Sequence, residues 1–191
     1  MRSYVRAAIL TLCAILAAYG IKTAGVNALG LDPESVALDE YGDMMLFART
    51  LFQNESDAFQ TLTMELCELD GLSIRRRADG SSCVRVDGDY VPTAEALSRL
   101  GAEDPEGLAA LADRLFAGSE VEVENSDGDT LVEGYASVLN LSVSGGEVLF
   151  TTQYHELGCV GVAYTAGAPL PGYNTIALVE DWVIFYQMDK T

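Results

Sequence analysis

Cys159 and His155 stand four residues apart, with Glu180 and Asp181 downstream. A thiol, an imidazole and a carboxylate are the parts of an activated cysteine nucleophile, as a cell-envelope thiol hydrolase would use. Spacing argues against the assembly. Four residues of extended strand separate side chains by roughly 13 Å, so thiol and ring meet only if the chain bends near Leu157-Gly158. The run Cys159-Val160-Gly161-Val162-Ala163-Tyr164 is apolar and β-rich, which reads instead as a core strand.

Two other groups of side chains have binding chemistry. Arg75, Arg76 and Arg77 form the one basic cluster beyond the first 22 residues, and guanidinium forks take phosphate, a carboxylate-rich glycan or an acidic partner bidentately. On an exposed strand they would pair with the chain's many carboxylates instead. Tyr173, Trp182, Phe185 and Tyr186 lie beside the proline-containing loop Gly167 to Gly172. Flat rings next to such a loop can stack on a sugar or peptide, or they can pack the sheet against helices. Alternation in Trp182-Val183-Ile184-Phe185-Tyr186 places Trp182, Ile184 and Tyr186 on one face and Val183 and Phe185 on the other, as in a strand covered on both sides.

Metal and cofactor chemistry has little to stand on. The single histidine, His155, leaves an imidazole-based zinc site without a second such ligand, and no Cys-x-x-Cys occurs. Asn125 to Asp129 has the acidic look of a calcium loop, but aligning Gly128 with the invariant glycine puts Val123 and Gly134 at the first and last ligand positions. A hairpin turn is the better reading. No metal and no cofactor are expected.

The elements that would position these groups are set by punctuation and period. Asp32-Pro33 reads as an N-cap with proline at the first helical position, and Tyr41, Met44, Met45, Ala48, Leu51 and Phe52 recur at helical spacing. Asn54 to Asp57 interrupts, and Phe59, Leu62, Leu66 and Leu69 mark the apolar stripe of a second segment, giving a helical hairpin or one kinked helix. Residues 71–91 look like short strands around Asp-Gly turns. Thr93 then caps a short helix, and Asp104-Pro105 opens another that closes at Gly118. Strands are expected at Glu120 to Glu124, Leu131 to Val143, Glu147 to Tyr154, Gly158 to Ala166 and Ile176 to Met188, with breaks at Gly134 or at Glu180-Asp181. The expected fold is α+β: an N-terminal hydrophobic helix, then helices on one face of a mostly antiparallel C-terminal sheet.

The N-terminal segment sets the address. Ala7 to Ile21 is uncharged and mostly apolar, with Arg2 and Arg6 before it and Lys22 after it. Such a segment reads as a signal peptide or uncleaved anchor that keeps the N-terminus in the cytoplasm and exports the rest of the chain. Fifteen helical residues cover roughly 22 Å, short of a hydrocarbon core of about 30 Å. A helix continued to Leu31, with Lys22 snorkelling, spans it. A single-pass membrane protein is expected, with secretion after cleavage near Ala18-Tyr19-Gly20 or Ala28-Leu29-Gly30 as the alternative. Residues 1–31 thus form the anchor and linker. Residues 32–191 form one domain, mainly helical to 118 apart from the 71–91 hairpin, and mainly strands from 119.

The exported part is strongly acidic. The chain carries −18 and its first 22 residues carry +3, so the remainder carries −21. Nucleic acid is a poor partner for such a surface, whereas a basic protein or a small ligand is compatible with it. Outside the anchor, Cys67, Cys83 and Cys159 allow one disulfide of three pairings plus a free thiol, or three buried thiols, the reading favoured by the odd count.

The N-terminal hydrophobic helix, the capped helix, the Asp-Gly turns, the Cys159-to-Tyr164 strand and the closing Trp182-to-Tyr186 strand together resemble small, uncharacterised membrane-anchored extracytoplasmic proteins of Gram-positive bacteria. That resemblance implies localisation and fold, and assigns no functional residue. The function expected is non-enzymatic: an extracytoplasmic binding or accessory domain tethered to the bacterial membrane.

Overall fold

The computed structural model describes residues 42–86, 88–124, 130–155 and 158–188. Within the compact unit Asp43–Thr191, two helices come first, α1 (Gly42–Asn54) and α2 (Ser56–Leu66). They meet at a single residue. The Glu55 amide still donates to the Leu51 carbonyl at 2.9 Å, while its φ of −116° departs from the helical value and starts α2. The interruption at Asn54 to Asp57 is therefore a break in one helical path. Met45, Ala48, Leu51 and Phe52 of α1, with Ala58, Phe59, Leu62 and Leu66 of α2, form its buried stripe.

Strands β1 (Ser73–Arg76), β2 (Ser82–Val86) and β3 (Asp89–Pro92) precede α3 (Thr93–Arg99) and α4 (Pro105–Ala117). Asp104 caps α4 through its side chain, which accepts from the Gly107 amide at 3.0 Å, with Pro105 behind it and Gly118 at φ 77° closing the far end. Thr93 does not cap α3. Its hydroxyl donates to Ser82 Oγ at 2.6 Å, tying the helix to β2, and Pro92 holds the N-cap position. Arg114 pins α4 to the start of α2 through Glu55 and Asp57, each at 2.9 Å, and its hydrogen bond holds the Asp57 carboxyl below the ordinary value.

After α4 come β4 (Ser119–Glu124), β5 (Thr130–Ala136), β6 (Asn140–Ser144), β7 (Glu147–His155), β8 (Gly158–Tyr164), β9 (Asn174–Val179) and β10 (Trp182–Met188). All pairings are antiparallel. β4 and β5 pair with each other alone, and the other eight form one sheet in the order β3-β2-β1-β6-β7-β8-β10-β9. Two features depart from a simple meander. β1 pairs with β6, so the early hairpin joins the C-terminal sheet, and β10 lies between β8 and β9. The expected break at Gly134 falls instead after Ala136, and the one at Glu180-Asp181 is the β9–β10 turn. The Asn125 to Asp129 turn and the Asp32-Pro33 cap lie outside the described residues.

Alternation along the sheet sorts its side chains into two layers. On the helix side, Phe59 meets Phe150 at 4.7 Å between ring centroids, and Trp182 lies 4.8 Å from Phe52 and 6.0 Å from Phe150. On the other side Cys159, Ala163 and Phe185 are buried beneath Leu170 and Tyr173 of the β8–β9 loop. Gly161 explains how close these strands come: a Cβ there would collide with the Phe150 carbonyl oxygen and the Phe185 ring.

Candidate functional site

The residues with site chemistry in the sequence fall in separate places. Trp182 and Tyr186 are each 7% exposed, core residues on the helix side of β10. Tyr173 is on the other side, stacked edge-on against Phe185 at 5.0 Å. Its partial burial raises the phenol pKa, and Cys159 and Tyr154 add to the effect. These aromatics therefore serve two cores on opposite faces. The arginines also part. Arg75 is exposed on β1, Arg76 donates to Ser137 Oγ at 3.5 Å and Arg77 donates to the Tyr90 carbonyl at 3.2 Å. No carboxylate forms an ion pair with any of the three among the described residues.

Cys159 pairs across the β7–β8 ladder with Tyr154, while His155 pairs with Gly158. Successive positions on a strand belong to opposite faces, so the ladder sets the Cys159 and His155 positions on different sides of the sheet. Cys83 and Cys159 are buried, and Cys67 is partly exposed. Among the described residues no three His, Cys, Asp or Glu side chains converge as metal ligands would.

Among the described residues one cleft has binding character, and of the candidate binding residues named from the sequence it includes Trp182 alone. A cleft of about 890 Å³ opens between α2 and the β9–β10 turn. α2 and the residue that ends it contribute Gln60, Thr63, Met64 and Cys67; the opposite wall is Tyr164 and Trp182, with Val179 and Glu180 at the rim. Its lining is aromatic, sulfur-bearing and aliphatic with a few polar groups, the composition of ligand seats in general. Met64 is 77% exposed, and Val179 is 54% exposed. Cys67 donates its thiol to the Met64 carbonyl at 3.7 Å.

One polar group stands out in the wall of this cleft. Thr63 is 4% exposed, and its hydroxyl oxygen, fully buried, has no hydrogen-bond partner. Such an orphan costs about 1–3 kcal/mol, and buried polar atoms are nearly always satisfied. Glu180, at the rim, has φ 39°, which is the ordinary geometry of the two-residue β9–β10 hairpin turn. A sequence signal for Thr63 does exist. It lies on the stripe Phe59, Leu62, Leu66, where every other member is apolar.

The chain matches no protein-family model, no curated protein and no solved structure.

Proposed function

We propose that this chain is a non-enzymatic binding or accessory domain, tethered outside the cytoplasmic membrane by its N-terminal segment, with the α2 cleft as its ligand seat. The N-terminal part of this reading rests on Arg2 and Arg6 before the apolar run Ala7 to Ile21. None of the described helices is long and apolar enough to cross a membrane, and the reading assigns the tether to residues 7–31 on the apolar run and its flanking charges alone.

One observation carries the seat: the unsatisfied Thr63 hydroxyl in the wall of an open, largely apolar cleft. An unpaired hydroxyl is destabilising, and at Thr63, unlike at Ser119, it borders a cleft where a ligand group could pair with it once the side chain rotates. Thr63→Val keeps the shape and removes the hydroxyl, and is expected to raise unfolding stability by about 1 kcal/mol. Denaturant unfolding of the full chain checks this. A loss of stability of similar size would show that the hydroxyl is bonded within the fold and would remove the argument for the seat.

A further inference from the structure

The two edges of the large sheet are built differently. β3 is four residues long, contains Asp89 and Pro92, and runs directly into α3. Those are the usual guards against strand addition. β9, at the other edge, reads Asn-Thr-Ile-Ala-Leu-Val, with no charge and no proline. Five of its six residues are exposed, among them Ile176 at 41% and Val179 at 54%. Its one irregularity, the register shift at Trp182/Val183 of β10, lies at the Val179 end. Opposite Thr175 to Ala177 the ladder is regular, so the outer row of amides and carbonyls there is a straight template.

We infer that β9 receives an extended segment of another protein, basic at its N-terminal end, which adds a ninth strand to the sheet. The inference deepens the binding reading above and rests on it. Direction is set by the sheet, in which every pairing is antiparallel. A strand antiparallel to β9 brings its N-terminal end beside Val179, the residue shared by the edge and the cleft. Its leading side chains then overhang the cleft next to Glu180, which forms no ion pair among the described residues. Charge selects the occupant. Two copies of a domain that carries −21 beyond residue 22 repel each other, whereas a basic segment is steered toward it. Main-chain pairing supplies affinity and the side chains over the cleft supply choice, as in other strand-addition sites.

The test uses the full chain in a mild non-ionic detergent and a short acetylated peptide of alternating valine and threonine led by lysines. Its partner probe has the same side chains with alternate amides N-methylated, which removes donors from one edge and leaves the charge unchanged. The parent peptide is expected to bind at least about tenfold more tightly than the N-methylated one, the effect of several lost hydrogen bonds. Moving the lysines to the C-terminal end is expected to weaken binding several-fold, and Glu180→Gln is expected to erase that difference. Equal binding of parent and N-methylated peptides overturns the strand addition while leaving the cleft reading standing if Met64→Lys still weakens both. Absence of binding by either peptide, or concentration-dependent dimerisation abolished by Ile176→Glu, also overturns it.

Discussion

Trp182→Ala is expected to destabilise the folded domain by about 4 kcal/mol, within the range for deleting a buried aromatic. Trp182 is 7% exposed at the start of β10 and its ring has four aromatic neighbours: Phe52 at 4.8 Å, Tyr164 at 5.7 Å, Phe150 at 6.0 Å and Phe59 at 6.1 Å. These belong to α1, α2, β7 and β8, so one side chain joins the helical layer to the centre of the sheet. Alanine leaves a cavity bordered by two helices and two strands, and a close-packed interior relaxes only in part around such a gap. The measurement is denaturant unfolding of the full chain followed by far-ultraviolet circular dichroism. Fluorescence supplies an independent check, because this is the only tryptophan in the chain. Its emission is expected to be blue-shifted. A solvated emission spectrum together with an unchanged unfolding midpoint would place the indole on the surface and restore the aromatic segment as a candidate ligand patch.

The second large effect is one of placement. A reporter active only outside the cytoplasm is expected to work when fused after Thr191, and a reporter active only inside is expected to fail. The motive is the charge asymmetry about Ala7 to Ile21, with Arg2 and Arg6 on the side that the proposed topology keeps in the cytoplasm. Replacing both arginines by glutamate removes that bias and is expected to lower the outside signal and raise the inside one. The opposite reporter pattern in the unaltered chain would contradict export, and with it the placement of the cleft outside the membrane.

Local chemistry was the legible part of this fold. Asp104-Pro105 and Gly118 bracket α4 because caps and closing glycines act within a few residues. The two-sided burial of β10 was readable from alternation alone. Thr93 shows where that logic stops. Its hydroxyl has two acceptable uses, a helix cap or a bond to a neighbouring strand, and the proximity of Ser82 decides between them. Pairing at a distance was not legible. The bond from Ser73 to Asn140 crosses 67 positions of chain, and nothing in either strand names the other. The placement of β10 inside β9 likewise depends on the 165–173 loop turning under the sheet to set Leu170 and Tyr173 over Phe185.

The candidate site divides the same way. Cys159, His155 and the arginines stood out by residue type, but the ladder register and strand alternation distribute them over different positions and faces. Of the cleft's lining only Trp182 stood out as a candidate binding residue, and the rest was hidden for the opposite reason. Gln60, Met64 and Val179 are ordinary as types, and Thr63 gains meaning only once its hydroxyl is buried without a partner.

Whether the cleft is a binding seat can be decided by photo-crosslinking in native membranes. A photoreactive residue at Met64, 77% exposed in the cleft, is compared with one at Leu100, 50% exposed at the end of α3. A binding seat predicts a discrete adduct from the Met64 position that is absent from the Leu100 position and competed by the lysine-led peptide. No adduct from Met64, or the same adducts from both positions, would contradict it.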